Sequence, residues 1–248
     1  MSTALERARG LLDSARLTGP VDDSHGYLDL LGPPETAESS TLWVMQNAVF
    51  AAVYERAWRP IFTRLYSLGG TSAAKFDRRL VTHLGRPGDR TILDVACGPG
   101  NYTRRLSERL TGDGVCVGLD FSVPMVTRAV ADNSGHRVAY VRGDAHRLPF
   151  PDGSIDTVCC LAALYLISDP HEVIDELARV VAPGGEVAIF TSLRTRLTSA
   201  RVVNKIAARS GYRLFGRDEV TDRLRAAGLV GVEQTITGQA QYVTARKP

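Results

Sequence analysis

The chain has 248 residues, 44% of them hydrophobic and 23% charged, an ordinary balance for a folded domain and neither disordered nor collagen-like. A formal charge of +3 argues against a uniformly basic nucleic-acid binder. Mean hydropathy is −0.07, and no uninterrupted apolar run approaches the ~20 residues that span a bilayer, which argues against an integral membrane protein.

The first residues, Met1 to Arg16, mix Glu6, Arg7, Arg9 and Asp13 with short apolar stretches. They lack the apolar core of a signal peptide, so a cytoplasmic protein is expected. Residues 3–17 read as an amphipathic helix with Leu5, Ala8, Leu12 and Ala15 on one face. Breakers such as Gly19-Pro20 and Gly32-Pro33-Pro34 fill 18–41, with one short helix expected through Tyr27–Leu31. Residues 42–68 carry Trp, Phe, Tyr, Val and Ala at helical spacing. Of their aromatics, Trp43, Phe50, Tyr54, Trp58, Phe62 and Tyr66 are mostly packing residues on this reading, with one or two touching a substrate. A further helix over Ser72–Leu84 stops at Gly85.

From residue 91 the pattern becomes strand, loop, helix, repeated. Strands are expected at Thr91–Val95, Val115–Leu119, Val138–Arg142, Thr157–Cys160 and Glu186–Thr191. Helices are expected at Tyr102–Leu110, Val123–Ala131, His171–Val181, 197–214 and Asp218–Ala227. Pro183-Gly184-Gly185 reads as a turn, and Val232–Thr237 with Tyr242–Ala245 as a terminal hairpin. Strands alternating with helices imply a parallel sheet covered on both faces. The four cysteines, Cys97, Cys116, Cys159 and Cys160, have no metal-site spacing. They read as free, mostly buried thiols, and no metal site is expected.

The sharpest signal is Ile92-Leu93-Asp94-Val95-Ala96-Cys97-Gly98-Pro99-Gly100-Asn101. A buried strand leads through an acid into a tight glycine turn that opens a helix. Small residues there let backbone amides approach a ligand, and a helix N-terminus favours negative charge. The spacing is not the GxGxxG of dinucleotide binders. It suits a ligand with a carboxylate and an ammonium in place of a pyrophosphate. Asp120 ends the second strand 20 residues after Gly100, where an acid can accept both ribose hydroxyls. Asp144 follows the third strand and could accept from an adenine amino group.

These blocks resemble a class I S-adenosylmethionine-dependent methyltransferase, most similar to the ubiquinone/menaquinone-biosynthesis group. The resemblance covers roughly residues 70–248 and rests on ILDVACGPGNYT, GLDFS, VRGDAHRLPFPDGSIDTV and LARVVAPGGEVAIF. It implies an α/β fold of Rossmann type: a seven-stranded, mostly parallel sheet with an antiparallel last strand. A helical N-terminal cap, residues 1–70, would precede the methyltransferase domain, 71–248. The residues that would hold S-adenosylmethionine, and its product S-adenosylhomocysteine, are Asp94, Ala96, Cys97, Gly98, Gly100, Asp120, Phe121, Met125, Asp144, Ala145 and Leu161. In this assignment Asp94 and Gly98 to Gly100 take the methionine end, Asp120 and Phe121 the ribose and the flank of adenine, and Asp144 and Ala145 the adenine edge. Leu161 lines the sulfonium. Residues 44–47 and 53–59 are similar, more weakly, to a segment ahead of the core in plant plastid methyltransferases of the same broad group.

After the fourth strand the chain reads Leu161-Ala162-Ala163-Leu164-Tyr165-Leu166. It lacks the Asn/Asp-Pro-Pro-aromatic clamp of base-amine methylation, and no cysteine follows a proline as in cytosine C5 chemistry. A nucleic-acid acceptor is therefore not expected. Relatives often have His where Tyr165 stands, and no general base is assigned. Tyr165, Trp58 and Phe62 are candidate acceptor contacts. The expected acceptor is small and hydrophobic, phenol-, quinone- or lipid-like, methylated at oxygen or carbon. A polar or acidic metabolite, or a non-catalytic cofactor-binding partner protein, is the alternative; the oligomeric state is left open. Charge is also segregated. Leu17 to Tyr54 holds five acids and no Lys or Arg, and Val187 to Arg217 holds seven bases and no acid. The basic stretch, 194–217, is expected either beneath an acidic lid or against an anionic lipid surface or acidic substrate.

Overall fold

The computed structural model describes residues 2–33, 73–195 and 212–248. The elements in chain order are α1 (Ala4–Gly10), β1 (Leu28–Asp29), α2 (Ala73–Leu84), β2 (Thr91–Val95), α3 (Asn101–Ser107), β3 (Val115–Asp120) and α4 (Val123–Asn133). There follow β4 (Val138–Arg142), β5 (Ile155–Leu161), α5 (Pro170–Val180), β6 (Val181–Ser192), α6 (Glu219–Ala226), β7 (Val230–Thr237) and β8 (Ala240–Arg246). No described helix is long and apolar enough to cross a membrane.

One sheet runs β1-β4-β3-β2-β5-β6-β8-β7. Every pairing from β1 to β6 is parallel, and β8 is antiparallel to both β6 and β7. The order reverses at β2, whose two neighbours are β3 and β5. At such a switch point the loops leaving adjacent strands diverge and open a crevice.

The strands are apolar on both faces because both are covered. Leu93, Val95, Val117, Leu119, Val158 and Ile189 belong to one core with α1, α5 and α6. Ile92, Cys116, Cys159 and Ala188, which alternate with them, pack with Leu80 and Leu84 of α2 and Leu106 of α3. Tyr140 and Val138 meet Val126 and Ala129 of α4, with Tyr27.

The parallel core and the terminal hairpin match the expected architecture. Several segments depart from it. Tyr27–Leu31 is not a helix. Leu28 and Asp29 form an eighth strand against Val141 and Arg142. The departure has a tertiary cause, because β4 offers an unpaired edge and Arg142 offers a buried charge for Asp29 to meet. Likewise residues 3–17 are not one helix. α1 stops at Gly10, and a 3-10 turn follows at Ser14–Arg16, capped by the Asp13 side chain. Pro183–Gly185 lies inside the span of β6, in a register jump that pairs Ile155 with Val181 but Thr157 with Glu186. Of the helix expected over 197–214, Tyr212 to Leu214 are not helical, and the rest lies outside the described residues.

Candidate active site

Asp94 ends on the face that α3 covers, and it is buried, at 1% exposure. Its Oδ2 accepts from Thr103 Oγ1 at 2.7 Å, and the Cys159 thiol points at Oδ1 from 3.7 Å. Burial dominates and pushes the Asp94 carboxyl up to about 6, although both donors pull the other way.

The loop after Asp94 is left-handed at three positions: Ala96 (φ 55°), Gly98 (φ 55°) and Gly100 (φ 80°). Ala96 is strained there because it carries a Cβ. Gly98 and Gly100 are glycines for different reasons. A Cβ on Gly98 would meet nothing within 4 Å, whereas one on Gly100 would lie 2.2 Å from Tyr140 Oη. Gly98 thus borders open space, and Gly100 is wedged against β4 as the residue that opens α3.

Asp120 sits at the carboxyl end of β3, half-buried. Its Oδ2 accepts from the Gly98 amide at 2.8 Å, and its Oδ1 from the Ser122 amide at 2.9 Å. The second acid thereby fixes the glycine loop, and each oxygen keeps a further lone pair for a hydroxyl donor. Burial raises the Asp120 pKa, and the backbone amides oppose that rise. Phe121, the next residue, is 40% exposed although it is a large aromatic. An exposed aromatic beside an acid is a ready face for a flat ring.

Asp144 follows β4. Its Oδ1 accepts from the His146 amide at 2.9 Å and faces His146 Nδ1 at 2.7 Å. Ala145 is buried beside it. Met125 lies in the first turn of α4, partly exposed. Leu161 ends β5 and is 6% exposed. Ala162 follows with a left-handed backbone (φ 61°), a second strained small residue at this edge.

Asp94, Asp120, Asp144 and Leu161 therefore stand at or just past the carboxyl ends of four adjacent strands, β2, β3, β4 and β5. The residues present fit an adenosine amino acid in kind. They combine one buried acid and two half-buried ones, a glycine loop facing space, an exposed aromatic, and one Asp144 oxygen (Oδ2) with no partner among the described residues.

Beyond Leu161, a 3-10 turn at Leu164–Leu166 holds Tyr165, 6% exposed, with its ring 4.7 Å from that of Tyr212. The Arg213 amide donates to the Tyr165 carbonyl at 2.9 Å. Trp58 and Phe62 lie outside the described residues. So do most of the basic stretch and Glu35 and Glu38 of the acidic one. Several of the described charges are engaged elsewhere: Asp23 with Arg9, Asp29 with Arg142, Arg213 with Glu219, and Arg194 with the Leu214 carbonyl.

Sequence reasoning missed the support of these residues. Thr103 and Cys159 behind Asp94, Tyr140 behind Gly100, and Arg142, which donates to the Phe121 carbonyl at 3.3 Å, are known only from the packing. Helical periodicity would have placed Thr103 on the covered face of α3. Nothing in the spacing linked Tyr140 to Gly100.

Comparison with known proteins agrees with this geometry. Residues 93–189 match the family described as methyltransferase domain. The chain is 30% identical over 238 residues to an uncharacterized chloroplastic methyltransferase of Arabidopsis thaliana, covering 90% of this chain and 66% of that protein. It is 33% identical over 169 residues to a demethylmenaquinone methyltransferase of Geobacillus stearothermophilus, covering 58% of this chain and 72% of that one. A similar fold occurs in phosphoethanolamine N-methyltransferase 2 of Haemonchus contortus. There the TM-score is 0.69 at 17% identity, over 87% of this chain and 61% of the other. With the acids, the glycine loop and the reversed strand order in place, the chain belongs to the S-adenosylmethionine-dependent methyltransferases.

Proposed function

We propose that this chain moves the methyl group of S-adenosylmethionine to a small, hydrophobic acceptor, at oxygen or carbon. The observation that carries the reading is the convergence of Asp94, Asp120 and Asp144 at adjacent strand ends around Gly98, which borders open space. Bound there, the cofactor supplies a methyl already activated on a sulfonium. The protein's own work is then positioning and exclusion of water.

Asp94 would take the ammonium, and the glycine-loop amides with the start of α3 the carboxylate. Asp120 would take the ribose hydroxyls, Phe121 would flank the adenine, and Asp144 would read its amino group. Leu161 would wall the reacting centre. The apolar exit of β5, with Leu164 and Tyr165 buried and Tyr165 against Tyr212, supports a hydrophobic acceptor. His146 has both ring nitrogens engaged and is not free to act as a general base.

Calorimetry with S-adenosylhomocysteine and with NAD tests the cofactor half. The former should bind, the latter should not, and Asp120→Ala should remove most of the binding. Unchanged affinity in that variant would overturn the site assignment. A screen with labelled methyl donor over phenols, quinones, fatty acids and phosphoethanolamine tests the acceptor half. Label on the polar amine alone would overturn it.

A further inference from the structure

His146 follows Asp144 by two residues, and its ring lies between two acceptors. Nδ1 is 2.7 Å from Asp144 Oδ1, and Nε2 is 2.7 Å from the Ser168 carbonyl oxygen. A neutral imidazole carries one N–H and can donate to only one of them. Both contacts are made together only by the imidazolium.

The consequence for Asp144 is specific. Its Oδ1 receives the ring and the His146 amide, so the carboxylate cannot turn freely, while Oδ2 has no partner among the described residues. Ser168 lies two residues past the turn that holds Tyr165, just ahead of α5. The ring therefore ties the loop leaving β4, on the adenine side, to the loop leaving β5, on the acceptor side.

We propose that His146, as an imidazolium, is a positioning residue for the cofactor. It clamps Asp144 by one oxygen, presents the other to the adenine amino group, and fastens that loop to the acceptor side through the Ser168 carbonyl. The proposal rests on the cofactor reading above.

Among the described residues, the charged groups bearing on the ring are Asp144 on its own loop and Glu172 in the first turn of α5, both acidic. Burial opposes the charge, but the Ser168 carbonyl and these acids outweigh it, so the His146 pKa is raised. The clamp is complete below that raised pKa. It loses one of its two ring bonds as pH rises through it.

The test compares S-adenosylhomocysteine affinity of the wild type and His146→Gln by calorimetry from about pH 5.5 to about pH 8.5. The ratio of dissociation constants isolates the ring, because other titrating groups cancel in it. It should be about tenfold at the acid end and fall toward about twofold at the alkaline end. A merely structural histidine would give a ratio that does not move with pH. A second readout needs no variant: a nitrogen-resolved spectrum of the ligand-free protein near pH 6.5 should show His146 protonated at both nitrogens.

A flat ratio, or a single neutral tautomer in that spectrum, overturns the clamp while leaving the cofactor reading intact. A wild type that binds no S-adenosylhomocysteine at any pH overturns the cofactor reading and the clamp with it.

Discussion

Arg142 and Asp29, 113 positions apart in the chain, meet in the interior at the edge of the sheet. Arg142 Nη1 lies 3.0 and 2.9 Å from the two carboxylate oxygens and also donates to the Gly32 carbonyl. Arg142 is 3% exposed. Two charges taken out of water are tolerated only when their hydrogen bonds are made. Here they are shared among Asp29, Gly32 and the Phe121 carbonyl. Asp29 is saturated from its own side as well, since Oδ1 also accepts from the Leu31 and Gly32 amides.

Removing one partner strands the other. Asp29→Ala should lower unfolding free energy by about 3–5 kcal/mol, measured by urea titration. Replacing both, as Asp29→Leu with Arg142→Met, should recover a large part of that loss. If the double variant is no more stable than the single, the stranded charge is not the cause.

Asp94 sets stability against binding. Its pKa of about 6 in the folded protein lies above the ordinary 3.8 because the carboxyl is buried. The native state therefore holds a proton through that window which the unfolded chain has already released. Stability of the ligand-free protein should fall as pH rises through the window, by on the order of 1–3 kcal/mol. Asp94→Asn should raise the melting temperature at about pH 7.5. It should also weaken S-adenosylhomocysteine at least about tenfold, because the amide cannot balance an ammonium. In the wild type, binding should weaken as pH drops below about 6, where the ammonium must displace a proton. A variant that melts lower at neutral pH would refute the burial argument.

Gly98 and Gly100 should separate fold from binding. Gly98→Ala meets no neighbour, so its cost is the left-handed backbone, about 1 kcal/mol. Ala96 already bears the same strain two residues earlier in the loop. The new methyl would occupy the space the ligand needs, so calorimetry should show lost affinity in a folded protein. Gly100→Ala drives a methyl to 2.2 Å from Tyr140 Oη and must displace α3 or β4. A large drop in melting temperature is expected. Equal stability of the two variants would contradict the packing.

Tyr165→Phe should leave S-adenosylhomocysteine affinity unchanged, because the ring sits past Leu161 and packs at a tilt against Tyr212. Its effect should appear in the KM of the acceptor identified by the screen. A cofactor affinity that changes with it would move Tyr165 into the cofactor site.

The strands of the core were legible because they are buried on both faces, and an apolar run bounded by Gly and Asp reads without ambiguity. The bounds of β2 and β4 agree with the expectation to the residue. The positions of the acids were legible because each stands within two residues of the end of such a run. Tyr27–Leu31 was misread because a two-residue edge strand has no periodicity to detect, and its causes, the open edge of β4 and the ion pair with Arg142, are tertiary. His146 was left without a role because its two partners lie on different loops, and sequence distance hides the second of them, Ser168.

The strand that Leu28 and Asp29 add to β4 bears on where the protein can be cut. A domain boundary drawn at residue 71 would remove β1 and bare the backbone donors and acceptors of Val141 and Arg142. It would also leave the Arg142 guanidinium without its carboxylate. An unpaired, apolar sheet margin recruits strands from other molecules. Chains that begin at residue 71 should therefore self-associate and come out of bacterial expression as insoluble material. Those that keep residues 2–33 should stay dispersed, and light scattering on the two lengths distinguishes them.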